Sequence, residues 1–330
     1  MKIKLTTFFL LILVAKAFSQ EEFKPSGKPF ATIYANFHQG ITGSATDVAA
    51  FELVRGYIGY EYTFSPEFFA KINVDVGSPD DLSDYAKARR YAYFKNAYLQ
   101  YTHNRLEVEF GLISMKQFKL QEDIWERRYL MKTVADEYQL GSSADLGVNF
   151  NYAVTKNISA DFTIMNGEGY SNIQTDNIFK YSIGSTVWLT KGFVSKLFCD
   201  FTHNKINEST ILFFTSYDYN KKWNIAGEFV FRENDGWEAN QNIFALSVYG
   251  KYNLTGKYQL FARYDRVTSN ILKGKTNPWN LASDGTALVA GIQFNPIKNI
   301  KMALNYHDWY PWAANAEGGG FIFLDLEVKM

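Results

Sequence analysis

The chain has 330 residues, balances 34 Lys+Arg against 34 Asp+Glu and is 17% aromatic. If Lys2, Lys4 and Lys16 leave with a secretory leader, 31 basic residues face 34 acidic ones, a formal charge of about −3 that excludes the basic footprint of a nucleic-acid binder. The single cysteine, Cys199, excludes an internal disulfide, and no apolar run beyond the leader approaches the roughly 20 residues of a spanning helix.

Residues 1–19 have the pattern of a signal peptide: Lys2 and Lys4, an apolar core from Leu5 to Val14, then small residues near Ala17 and Ser19. Residues 20–29 read as a short periplasmic lead-in. From residue 30 to 330 the chain alternates apolar and polar residues in short runs, the pattern of strands with one face in lipid and the other in water. Val54, Ile58, Tyr60, Tyr62 and Phe64 oppose Arg55, Tyr57, Glu61 and Thr63; Ile72, Val74 and Val76 oppose Lys71, Asn73 and Asp75. Leu106, Val108, Phe110 and Leu112 oppose Glu107 and Glu109, and Leu324, Leu326 and Val328 oppose Asp325, Glu327 and Lys329. Leu197, Cys199 and Phe201 oppose Lys196 and Asp200, which makes Cys199 a small lipid-facing residue. The runs from Ile158 and from Thr210 are too uniformly apolar to assign a facing.

Sixteen candidate strands result, an even number as an antiparallel barrel requires. Short connections such as Thr155-Lys156-Asn157 and Asn220-Lys221-Lys222 alternate with longer ones near 40–47, 77–92, 114–144, 166–179, 203–208, 233–242, 268–285 and 309–319. A membrane barrel sorts its turns in this way, short at the periplasm and long outside. The fold expected is all-β: a transmembrane antiparallel β-barrel in the outer membrane. Trp309, Tyr310 and Trp312 read as aromatic belt, and Asn277-Pro278-Trp279-Asn280 as a loop turn.

The interval Ser114 to Ala144 is the longest without strand pattern, and Ile124, Trp125, Tyr129 and Leu130 give it apolar surface to pack with. It is expected to fold into the barrel mouth and constrict the pore with Lys116, Lys119, Glu126, Arg127, Arg128 and Lys132. Arg127 and Arg128 are alternatively tied to Glu122, Asp123 and Glu126. The expected pore lining includes Arg55, Lys71, Asp75, Glu107, Glu109, Arg232, Arg263 and Asp265. If the basic side of the interval faces Arg55, Lys71 or Arg263, a modest anion preference follows; if the acidic side does, a cation preference.

The stretch from Phe51 to Leu146 resembles the phosphate-selective porin O and P type of outer-membrane channel. The similarity lies in FELVRGYIGYEYTFSPEFFAKINVDVG, in FKNAYLQYTHNRLEVEFGLISMKQF, in IWERRYL with Glu126 and Arg127, and in the restart SADLG. The resemblance implies a sixteen-stranded trimeric diffusion channel with an inward-folded third loop. The chain departs from the family's run of lumenal arginines and lysines, because its own lumenal positions mix both signs.

Histidines 38, 103, 203 and 307 stand in no nucleophile or metalloprotease context, and His307-Asp308 lacks further ligands. No enzyme activity, metal or cofactor is therefore expected. Passive diffusion of small hydrophilic solutes and ions is the function these features favour, with membrane lipid as the surrounding partner. A channel specific for phosphate, another anion or a sugar is the nearer alternative, and a non-conducting receptor or scaffold barrel the second.

Overall fold

A computed structural model describes residues 23–77, 91–270, 283–312 and 316–330. The leader at 1–19, most of the connections near 77–92 and 268–285, and Asn277-Pro278-Trp279-Asn280 lie outside them. Sixteen strands form one closed antiparallel barrel. They are β1 (Ser26–Gly43), β2 (Ala49–Thr63), β3 (Phe68–Gly77), β4 (Tyr91–His103), β5 (Leu106–Ser114), β6 (Ala144–Thr155), β7 (Ile158–Met165) and β8 (Lys180–Thr190). The second half holds β9 (Phe193–His203), β10 (Asn207–Tyr219), β11 (Trp223–Glu233), β12 (Ile243–Asn253), β13 (Tyr258–Ser269), β14 (Gly285–Phe294), β15 (Ile300–Pro311) and β16 (Gly319–Lys329). β1 pairs with β16 from Thr32↔Lys329 to Gly43↔Gly319. That closure leaves no open edge, as backbone polar groups in a bilayer demand.

Each neighbour pairing is sequential, so the fold follows from hairpins. At one end the turns are tight: in the three-residue connection 220–222, Asn220 and Lys221 both take positive φ, 50° and 58°, a consecutive left-handed pair that matches strand twist. At the other end lie the longer connections, although two of them shrink in the structure. β1 runs on to Gly43, leaving 44–48, and β9 and β10 are joined by 204–206. β1 also opens at Ser26, inside the stretch read as lead-in.

The alternation holds along the wall with local exceptions. Val54, expected on the lipid face, packs against the interior cluster, because pairing with β1 shifts register between Arg55 and Leu53 and the bulge turns Val54 inward. The two uniformly apolar runs also resolve. In β7, Phe162 is exposed while Asp161 and Thr163 are buried; in β10, Ile211 and Phe213 face out while Leu212 and Phe214 are buried inside. Strand β10 is apolar on both faces because its inner face does not meet water: it carries the helical segment that joins β5 to β6.

That segment holds α1 (Lys116–Trp125) and the single turn α2 (Val134–Glu137). Met115, Phe118, Trp125, Tyr129, Val134 and Leu140 join Phe198, Leu212, Phe214, Val230, Tyr249 and Phe261 of the wall in one buried cluster. The main apolar core is therefore inside the barrel, against one side of it.

Candidate functional site

Helix α1 buries Gln117, Phe118, Gln121 and Trp125, a spacing that aligns one helical face with the wall. Trp125, 1% exposed, packs edge-on against Tyr249 at 5.1 Å and Phe261 at 6.2 Å. The helix stops at Glu126, whose φ of 58° turns the chain. From there Arg127, also 1% exposed, lays its guanidinium 4.7 Å over the Phe261 ring and donates to Gln259 Oε1 at 2.7 Å. Tyr129 donates its hydroxyl to Gln293 Oε1 at 3.0 Å.

An irregular segment needs donors for its backbone carbonyls, and cations of the wall supply several. Lys196 donates to the Lys116 carbonyl, Arg263 to that of Lys132, Lys301 to that of Glu126 at 2.8 Å and Arg232 to that of Gln139 at 3.3 Å. Lys251 meets the Glu126 carboxylate at 2.6 Å. Across the lumen Lys116 pairs with Glu109 at 2.8 Å and Glu107 at 3.6 Å, and Arg128 donates to the Tyr57 hydroxyl at 3.4 Å. The segment is thus held from β2, β5, β9, β11, β12, β13 and β15.

This placement sorts the residues expected at the pore. Arg263 and Asp265 point inward, but they form a pair at 2.5 Å with side chains 1% and 0% exposed, sealed beneath the segment and away from lumenal water. Arg127 is sealed with them and has no carboxylate partner among the described residues; its charge is buried against Phe261 and not on Glu122, Asp123 or Glu126. Arg128 is the arginine held by acids, pairing with Glu122 and with Asp136 at 2.5 Å. Arg232 is bound to Glu208 at 2.6 Å and Asp235 at 2.8 Å. Lys71 pairs with Glu61 at 2.9 Å and Arg55 with Asp75 at 3.5 Å. Lys132 donates its backbone N–H to Glu137 Oε2 at 3.2 Å, and Lys119 is exposed beside Asp123.

One of the spaces left open is a polar cavity of about 230 Å³ between α1 and the wall of β1 to β4, lined by Thr32, Tyr57, Asn96, Ser143 and the charged Lys95, Lys119, Glu122 and Arg128; others of similar size set Glu168, Asp176, Glu208 and Asp235 around Lys180 and Arg232, and Asp123 and Glu126 around Lys251. In the first of these Lys119 is paired with Asp123 and Arg128 with Glu122 and Asp136, so the cation of its lining without a carboxylate partner among the described residues is Lys95, which donates to the Ser143 hydroxyl. Burial raises the Glu122 carboxyl above its ordinary range, Arg128 opposing and Asp136 adding to the shift. Burial acts upward on Asp136 too, but Arg128, Lys132 and Lys95 outweigh it and hold that carboxyl below the ordinary carboxylate range. The two acids around one guanidinium are thereby pushed apart.

No protein-family model and no curated protein sequence matches the chain. Solved structures do match. The outer-membrane channel DcaP of Acinetobacter baumannii aligns with a TM-score of 0.69 at 12% identity, over 93% of this chain and 97% of that one. The anion-selective porin of Comamonas acidovorans aligns at 0.66 and 10% identity, over 93% and 100%. OmpT, an outer-membrane protein of Vibrio cholerae in its trimer form, aligns at 0.62 and 12%, over 93% and 100%. The fold is that of an outer-membrane porin.

Two features of this barrel escape a strict alternation. Lys95 follows outward Phe94 and precedes inward Asn96, and pairing with β3 skips it between Asn73 and Val74; the bulge puts both Lys95 and Asn96 inside. The connection from β7 to β8 also folds inward. Asp145 accepts the backbone N–H of Gly167 at 2.8 Å and of Gly169 at 3.2 Å, and Tyr170 then reaches across to donate its hydroxyl to Asp75 Oδ2 at 3.0 Å. Its ring lies 4.0 Å from the Lys95 ammonium. Gly169 has φ 83°, and a β-carbon there would meet Ser142 Oγ at 2.5 Å, so the Gly-Glu-Gly-Tyr run was the available signal.

Proposed function

We propose that the chain is an outer-membrane porin through which small hydrophilic solutes and ions diffuse passively, narrowed by the segment at 115–143 and carrying a modest anion preference. The observation that carries this reading is the polar cavity beside α1, where Lys119 and Arg128 are matched by Asp123, Glu122 and Asp136 and Lys95 has no carboxylate partner among the described residues. Arg128 reaches Tyr57 on the barrel wall together with its acids Glu122 and Asp136, so the proposed preference rests on Lys95 and is modest. An ion partly stripped of water responds to charges at that distance. The porin fold and the leader pattern support the membrane. The polar lining supports passage of solutes in place of catalysis on them.

Reversal potentials in a planar bilayer under a KCl gradient test the proposal. Stable conductance steps with an anion-leaning potential support it, and block by phosphate or by one sugar alone moves the reading to a specific channel. Folded, inserted protein without steps makes the segment a plug and the barrel a receptor or scaffold. The trimeric neighbour and the resemblance support a homotrimer, which native mass spectrometry in mild detergent reads directly.

A further inference from the structure

The outer wall carries a groove that the passage of solutes does not use. Gly250, Ala262 and Ala290 are lateral neighbours across β12, β13 and β14, so three small residues form one row. The next row is Val248, Tyr264 and Leu288, in the same register. Large side chains beside small ones leave a concavity of about 770 Å³, and no residue of the inner segment lines it, because Trp125 and Tyr129 fill the opposite side of the same wall. At position 250 a β-carbon would come within 2.8 Å of the Asn224 carbonyl oxygen, so the backbone itself keeps the floor low.

On the same outward line of β13, past Ala262 and Tyr264, stands Arg266. It is exposed, lies 4.0 Å over the Trp312 ring, and has no carboxylate partner among the described residues. Its depth follows from the strand. Tyr258, at the tight-turn end, is eight residues away, roughly 26 Å along a strand and about 20 Å along the normal at a tilt near 40°, against an apolar band about 25 Å tall. Arg266 therefore stands near the top of the apolar band on the long-loop side, from which its long side chain reaches the headgroup level, with Thr286 beside it in register. An arginine there is suited to bind a phosphate, and the groove below it to bind hydrocarbon.

We propose that this groove is a binding site for a phosphate-bearing anionic lipid of the surrounding bilayer, one acyl chain lying over Gly250, Ala262 and Ala290 and the phosphate on Arg266. The inference rests on membrane insertion but not on conduction. Charge complementarity at Arg266 favours lipid over a second copy of the chain as the occupant, since the exposed outward side chains lining the groove are apolar or tyrosine and offer no acid to such a cation.

The test is native mass spectrometry of the full-length barrel in mild detergent, titrated with dimyristoylphosphatidylglycerol or dimyristoylphosphatidylcholine. The expected result is one retained phosphatidylglycerol per barrel, bound about tenfold more tightly than phosphatidylcholine. Ala262→Phe should weaken both lipids by about tenfold or more, and Arg266→Gln should erase the difference between them. Heat-modifiable gel mobility checks that each variant is folded, and Arg266→Gln decides alone if Ala262→Phe is not. Equal retention of the two lipids by wild type, or retention unchanged in both variants, overturns the proposal. So does conversion of an oligomer to monomers by Ala262→Phe with lipid retention unchanged, which would assign the groove to a second copy.

Discussion

Lys119 and Arg128 both line the cavity, yet their substitution should have opposite consequences. The Lys119 side chain is 61% exposed, so Lys119→Glu should leave stability within about 0.5 kcal/mol and move the reversal potential toward cations. Arg128 sits between half-buried Glu122 and buried Asp136, and Arg128→Ala would leave the two acids facing each other without their shared cation. Removing one partner from a buried pair costs about 3–5 kcal/mol, here paid in loop anchoring, so single-channel current should become larger and noisier while the barrel stays folded. Tyr170→Ala tests the second inward connection: it uncovers Lys95 and frees Asp75, and conductance should rise. Tyr170→Phe keeps the ring over Lys95 and should retain most of the wild-type conductance.

At the scale of elements, wall and loop respond to different forces. Leu324, exposed in the middle of β16 and paired with Phe37 and Leu304, faces hydrocarbon, and Leu324→Arg should lower unfolding stability in lipid by about 2–4 kcal/mol if midplane values apply. The inner segment is instead held by buried aromatics and by charge, and charge makes its hold depend on pH. Asp136 has its carboxyl below the ordinary carboxylate range in the folded loop, so its attraction to Arg128 is fully present above that range and is lost as pH falls through the depressed value. Glu122, raised by burial, protonates earlier, and its ionised form works against the folded loop. Open-channel noise should therefore stay low on mild acidification and rise only once pH falls below the ordinary carboxylate range, whereas Asp136→Asn should be noisy at neutral pH.

For the molecule as a whole, the lumenal charges are mostly spent on one another or on holding the inner segment. Under the proposed function, selectivity is left to Lys95 beside α1, the cation there without a carboxylate partner among the described residues, which argues for a weak preference and a salt-sensitive one. Screening shortens from about 10 Å at 0.1 M to 3 Å at 1 M. The anion-to-cation permeability ratio should accordingly fall toward the free-diffusion value over that range, and an unchanged ratio would place the selectivity in geometry.

The sequence by itself determined the wall. Period-two alternation and turn chemistry are local, and a closed antiparallel meander pairs only neighbours, so strand number, order and the facing of residues such as Leu324 or Asp75 can be read without knowing the rest. The inward path of the long interval was readable from its apolar residues, but not which side it would rest on. Tertiary structure decided what local pattern cannot carry: the bulges that turn Val54 and Lys95 inward, the burial of Arg263 and Asp265 beneath a segment more than a hundred residues earlier, and the separate fates of Arg127 and Arg128. A side chain's facing is fixed by its own strand, whereas its exposure to the lumen depends on which distant element lies over it.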